Sequence, residues 1–274
     1  MNCDVSRTPS VKKAAHFDFG ENWKSFSDSA LTPARVAQAR ADFLDLMPEP
    51  TLSARTFLDI GFGQGLGICL AAEARAQVYG NDINPKCGEA LRATARFFPD
   101  VDLASIPILV GSILDDVVVQ RIGQLQPSGF DIVYSWGVLH HTGAVDEAIG
   151  RAASLVKAGG HLVLAIYNTH WTSPIWRLIK RIYVRAPGLV QRIMVALFFP
   201  LIFAAKFAIT LRNPLKMKRG MSFYHDVVDW IGGYPYEHRT MNEVKTLLES
   251  MGFRSERTIP ANLPTGCNQF VFRR

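Results

Sequence analysis

Four short stretches gather the residue types that hold cofactors and move protons. FLDIGFGQGLG (57–67) sets Asp59 ahead of Gly61, Gly63, Gly65 and Gly67 at the end of an apolar run. Glycines at a strand end let the backbone turn sharply and approach a ligand where side chains would collide. A dinucleotide fingerprint GxGxxG needs its third glycine at position 66; Leu66 stands there, which weakens a dehydrogenase reading. Asp82 closes the next apolar run, VYGND (78–82). DIVYSWGVLHHTG (131–143) then brings Ser135, Trp136 and the adjacent pair His140 and His141. Neighbouring residues on a regular backbone do not both face one site, so one histidine is expected to pack and the other to act as a base. Finally, SFYHDVVDWIGGYPYEHRT (222–240) holds Tyr224, His225, Asp226, Asp229, Trp230, Tyr234 and Tyr236 without a clean helical or strand period, and reads as a loop. His225 oriented by Asp226 or Asp229 is a second candidate base there; the plainer alternative is that these aromatics only pack.

The first three stretches, in this order, resemble the class I S-adenosylmethionine (SAM) dependent methyltransferases, well over residues 56–168 and loosely over the C-terminal strands. The resemblance implies SAM as cofactor. Gly61, Gly63 and Gly65 would line its methionine and ribose, Asp59 would stand near the amino group, and Asp82, followed by Ile83, would take the ribose hydroxyls. Many relatives carry an acid directly after the position of Gly111 to bind the adenine amino group. Ser112 replaces it, so adenine recognition falls to Ser112, Ile113 and backbone amides rather than to Asp115. Ser135 and Trp136 would border the transferable methyl. Enzymes that methylate exocyclic amines of nucleobases carry [DN]PP[YF] here, and Ser135-Trp136-Gly137-Val138 disfavours that chemistry. Leu139-His140-His141 resembles the LHH of quinone-biosynthesis methyltransferases, which implies His141 as general base. HFDFGENWKSFS (16–27), HDVVDWIGGYP (225–235) and GCNQFVF (266–272) look like a bacterial methyltransferase subgroup, adding Trp23 to Tyr224, Asp229, Trp230, Tyr234 and Tyr236 as acceptor-binding candidates.

Positioning these residues requires a sheet. TFLDIG (56–61), AQVYGND (76–82), IPILVG (106–111), FDIVYSW (130–136) and HLVLAIYN (161–168) are short apolar runs. They alternate with segments of helical spacing such as NPKCGEALRATARFF (84–98) and AVDEAIGRAASLVKAGG (144–160), the signature of a parallel sheet covered on both faces. A last helix starts at a Thr240–Glu243 capping box and stops at Gly252, before two closing strands, FRSERTI (253–259) and NQFVFR (268–273). The expected fold is a Rossmann-like, doubly wound, seven-stranded methyltransferase sheet. Its division is an N-terminal helical cap (1–50), a SAM-binding core (51–168), a helical insertion after strand five (169–239) and a closing part (240–274).

The insertion carries the charge. The 274-residue chain has a net charge of +6, yet from Ala148 to His225 it holds twelve Lys or Arg and no acid, leaving 18 basic residues against 24 acids elsewhere. SPIWRLIKRIYVRA (173–186), with Ser173 as cap, reads as an amphipathic basic helix. The uninterrupted apolar run that follows, Ile193 to Ala205, is thirteen residues, short of the about twenty that span a bilayer. A lid over an apolar acceptor pocket and an element resting on an anionic membrane, with KMKRG (216–220) on lipid phosphates, are both expected readings. A nucleic-acid face needs less apolar surface. Cys3, Cys69, Cys87 and Cys267 are scattered singly, so no metal site or disulfide framework is expected, and the N-terminal stretch has no apolar core of a signal peptide. A cytoplasmic enzyme with a small-molecule or lipid-like acceptor follows, by O-methylation or, alternatively, N- or C-methylation. A non-catalytic nucleotide-binding protein with a docking insertion is the rival.

Overall fold

The computed structural model describes residue 17 and residues 19–48, 51–215 and 222–274. Its centre is a seven-stranded sheet built from β1 (Thr56–Ile60), β2 (Gln77–Asp82), β3 (Ile108–Val110), β4 (Phe130–Trp136), β5 (Val156–Tyr167), β6 (Arg254–Ile259) and β7 (Cys267–Arg273). The strand order is β3-β2-β1-β4-β5-β7-β6, and β7 alone runs against its neighbours. The order reverses between β1 and β4, the switch point at which open α/β sheets bind ligands outside the carboxyl ends of their strands. The expected doubly wound sheet is the observed one.

Helices close both faces. On one side Phe43 of α2 (Pro33–Leu46) meets Phe57 and Tyr134 edge to face, joined by α3 (Leu66–Glu73) and α4 (Cys87–Ala95). On the other, Val133, Leu164 and Phe272 pack under α5 (Asp116–Leu125), α6 (Val145–Ser154) and α10 (Met241–Ser250). Thr32 caps α2 ahead of Pro33, and the Thr240–Glu243 box caps α10, as the spacing predicts. β5 begins at Val156, five residues before its expected start. An irregularity opposite Phe130 and a left-handed Gly159 carry the strand through a stretch whose composition reads as the end of a helix.

A third cluster stands apart, formed by α7 (Ser173–Arg185), α8 (Gly188–Thr210) and α9 (Phe223–Gly232) around Tyr183, Val195, Ile202, Phe223, Val227 and Ile231. Two expectations change here. Residues 223–232 are a helix rather than a loop: Phe223, Val227 and Ile231 recur every fourth residue and are buried, a stripe obscured in the sequence by the ionisable residues between them. The thirteen-residue apolar run is part of a 23-residue helix, which starts five residues before it at Gly188 and continues past Lys206, paired with Asp226, to Thr210. Among the described residues this is the one helix long and apolar enough to cross a membrane. The N-cap of α7 falls at Thr172, and the Ser173 hydroxyl accepts the His170 N–H at 3.1 Å. The basic run 216–220 lies outside the described residues.

Candidate active site

The turn after β1 is a cradle. Gly61, Gly63 and Gly65 all have positive φ, and a Cβ on Gly61 or Gly65 would collide with Val138 or Leu91. Trp23, on α1 (Phe19–Ser29), lies over the turn with its indole nitrogen 3.1 Å from where a Cβ on Gly63 would stand. It therefore faces the predicted cofactor loop. Asp82 ties the cradle to the tip of β2: Oδ2 accepts the Gly63 N–H at 2.9 Å and Oδ1 the Asn84 N–H at 2.8 Å. Asp59 is buried behind the turn, its Oδ2 2.6 Å from the position of a Gly67 Cβ. Burial pushes the Asp59 carboxyl well up and Asp82 adds to the shift; burial also raises Asp82, against its backbone hydrogen bonds. Two acids in this state suit a cationic, hydroxyl-bearing ligand, and the buried Gln64 Oε1 in the same turn has no hydrogen-bond partner. The residues present fit SAM.

The remaining cofactor candidates divide. Ile83 is 65% exposed beside Asp82, and Val110, the register partner of Asp82, is also exposed, giving an apolar platform at the strand tips. The Ser112 hydroxyl accepts the Leu114 N–H at 3.1 Å, Ile113 is in the core, and Asp115 caps α5. Ser135 is buried and donates to the Ile60 carbonyl at 2.9 Å, which bonds two strands, while Trp136 packs against the α2–α3 core.

The two histidines follow β4 on a short 3₁₀ turn and face different surroundings. His140 is fully buried, lies tilted against Tyr167 with ring centroids 3.8 Å apart and accepts the Tyr167 N–H through Nδ1 at 3.3 Å. Burial holds its pKa well below the usual range, so it stays neutral. His141 is half-buried and its Nδ1 lies 2.7 Å from the Pro235 carbonyl. A carbonyl only accepts, so Nδ1 carries the proton and Nε2 presents a lone pair. Phe19 lies 4.8 Å from the His141 ring, and a Cβ on Gly233 would stand 2.7 Å from its Cε1.

The 222–240 stretch splits the same way. Asn22 donates to Asp229 Oδ1 at 2.7 Å and to the His225 carbonyl at 3.1 Å, pinning α9 to α1. His225 packs on Phe26 with Nε2 3.4 Å from the Ser25 hydroxyl, and Asp226 pairs with Lys206. The expected His225 dyad with Asp226 or Asp229 is therefore not formed: each acid takes another partner, and His225 faces α1 instead of His141. Tyr224, with Tyr183, Arg192 and Phe199, borders a cavity of about 590 Å³ between α7, α8 and α9. The Tyr234 carbonyl accepts the Phe17 N–H at 3.1 Å. Trp230 and Tyr236 meet Tyr167 with ring centroids 5.3 and 5.4 Å away, and this aromatic wall encloses Lys180 of α7. Sequence reasoning missed Lys180, Asn22, Phe19 and Tyr167. Lys180 could have been found, because it lies four residues after Trp176 and three before Tyr183, on the apolar stripe of its helix. Among the described residues no cluster of potential metal ligands occurs.

Comparison with known proteins agrees with the fold. The family described as "Methyltransferase domain" matches residues 33–199. The ubiquinone biosynthesis O-methyltransferase of Rhodopseudomonas palustris is 31% identical over 134 residues, 48% of either chain. That of Ralstonia nicotianae is 26% identical over 133 residues, 48% of this chain and 52% of the relative. The chain thus spans about half the length of the curated relatives it matches. The structure of magnesium protoporphyrin IX methyltransferase from Synechocystis with bound SAM superposes with a TM-score of 0.51 at 15% identity, covering 96% of this chain and 100% of that one.

Proposed function

Because this chain belongs to the methyltransferase-domain family, we propose that it transfers the SAM methyl group to a hydroxyl oxygen of a small or lipid-like acceptor, with His141 Nε2 taking the hydroxyl proton. When bound, SAM supplies a methyl already activated on a sulfonium. The chain's own work is then alignment, worth about 7–11 kcal/mol in well-oriented systems, and proton removal. Asp59 and the glycine turn would hold the methionine end, Asp82 the ribose, and Ile83 with Ser112 the base. What supports the reading is the His141 Nδ1 to Pro235 carbonyl bond, which puts the proton of the neutral ring on Nδ1 and the basic lone pair on Nε2, on the turn that follows β4. The names of the ubiquinone-biosynthesis relatives favour oxygen over nitrogen or carbon as the atom methylated.

The α7–α8 face supports delivery of the acceptor from an anionic membrane surface. Ile175, Leu178, Ile182, Leu189, Ile193, Leu197 and Leu201 are exposed, interleaved with exposed Arg177, Arg181, Arg185 and Arg192. Although α8 is long enough to span a bilayer, its other stripe is engaged on α9 through Val195, Ile202 and the Lys206–Asp226 pair. Insertion across the membrane would tear that stripe away, whereas lying in the interface would not.

The decisive experiment incubates the protein with methyl-labelled SAM and a panel of catechols and long-chain quinols, beside His141→Ala. Labelled methyl ether formed by wild type and reduced about 10²- to 10⁴-fold in His141→Ala, with unchanged S-adenosylhomocysteine binding, supports the reading. Equal turnover in the two proteins removes His141 from it.

A further inference from the structure

Among the described residues Lys180 is the one lysine or arginine withdrawn from solvent. Arg177, Arg181 and Arg185 of the same helix are exposed, while none of the Lys180 side chain is. Its ammonium donates to the Trp230 carbonyl and lies 4.3 Å from the Trp230 ring centroid, 4.9 Å from that of Tyr236 and 5.8 Å from that of Tyr167. The acids that bear on it from α9, Asp229 and Asp226, are held by Asn22 and Lys206. The other titratable neighbours are Cys267 on β7, Tyr167 on β5, His140 on the turn and Tyr236. Burial pulls the Lys180 ammonium down to about 7, opposed by the two aspartates.

Withdrawing a lysine from water costs several kcal/mol. A methionine would fill the same space without that cost, so the amine invites a reason in what it holds. Trp230 and Tyr236 stand on either side of the turn that contains Pro235, and the Pro235 carbonyl sets the tautomer of His141. Tyr167 links the two sites, with its ring centroid 5.4 Å from that of His141.

We propose that Lys180 is a positioning residue for the His141 base: by gripping Trp230 and Tyr236 it fixes the intervening turn, so that the Pro235 carbonyl receives the Nδ1 proton of His141. The inference rests on His141 being the base, but its test needs no turnover. Proteins labelled with ¹⁵N in histidine are compared by NMR as wild type, Lys180→Met and Lys180→Arg, and each is titrated with S-adenosylhomocysteine. Wild type is expected to show His141 protonated on Nδ1. Lys180→Met is expected to lose that preference while binding S-adenosylhomocysteine within about twofold of wild type, and Lys180→Arg, which keeps a cation, to restore it. Wild-type His141 signals in Lys180→Met overturn the proposal. Should Lys180→Met fail to fold, the wild type decides: between about pH 6 and 9 the neutral His141 signals must shift with the midpoint of the Lys180 ¹³Cε resonance, and separate midpoints overturn it. Failure of wild type to bind S-adenosylhomocysteine would instead sink the methyltransferase reading and leave these signals interpretable.

Discussion

Asp82 ties the glycine turn to the tip of β2 and is the residue we propose for the ribose hydroxyls. Both oxygens accept backbone N–H groups from the glycine turn and the start of the next segment, and Cys87 and Ile83 also bond to the carboxylate, so a ligand hydroxyl would replace one of these donors. Asp82→Ala should therefore loosen the cradle and remove a charge-assisted contact of about 1.5–3 kcal/mol, seen calorimetrically as S-adenosylhomocysteine binding weakened by roughly one to two orders of magnitude. Unchanged affinity would detach Asp82 from the cofactor. Asp229 offers a test by pH. Burial pushes its carboxyl up to about 8, against the Asn22 hydrogen bond, so the folded state holds a proton that the unfolded chain releases near pH 4. Its contribution to stability is full below that value and declines as pH rises towards 8. Lys180, pulled down to about 7, has the opposite sign and acts only above that pH. Between about pH 4 and 7 the melting temperature of Asp229→Asn, which still accepts from Asn22, should rise relative to wild type; parallel curves would refute a buried, protonated Asp229.

The α9 helix joins the candidate sites, since it touches α1 through Asn22 and ends at the turn whose Pro235 carbonyl meets His141 Nδ1. Its hold on α7 and α8 comes from Phe223, Val227 and Ile231. Ile231→Ala should cost about 2–5 kcal/mol in urea unfolding, with a larger loss of acceptor turnover than of cofactor affinity; equal losses would make α9 a general support. This element also marks the limit of the sequence. The strand tips, the glycine turn, Asp82 and the histidine pair were legible because short-range patterns encode them: a glycine needed for positive φ and apolar runs of strand length. Lys180, Asn22 and the partners of His225 were not, because they depend on which face of α7 or α9 meets α1. That is a tertiary fact, and charged residues on those faces mimic a solvated surface. The far end of α8 was missed for a related reason, since Lys206 ends an apolar run only if it has no partner.

The molecule as a whole has two unequal sides. One is an ordinary α/β core with mixed surface charge, and the other is the α7–α8 face, apolar and basic without intervening acids. Juxtamembrane arginines contribute about 1 kcal/mol each near an anionic bilayer, and that attraction is screened by salt. The protein should therefore sediment with phosphatidylglycerol vesicles, much less with phosphatidylcholine vesicles, and be released by high salt. Leu197→Glu with Leu201→Glu should abolish sedimentation while leaving S-adenosylhomocysteine binding intact. Vesicle-independent self-association lost in the same double variant would instead identify the face as a contact between copies.

The segment between β5 and α10 departs and returns at one point: the Arg239 N–H donates to the Tyr167 carbonyl at 2.9 Å, and the Arg239 guanidinium grips both Asp146 oxygens at 2.8 Å. A closed neck of this kind makes everything beyond it exchangeable, because lengthening a loop whose ends are already together costs only about 0.6 kcal/mol per doubling. On the function proposed above, acceptor choice could therefore diverge in evolution, or be grafted between enzymes, without rebuilding the glycine turn. The transplant must include α1, whose Asn22 bonds to α9 and whose Phe19 packs against His141.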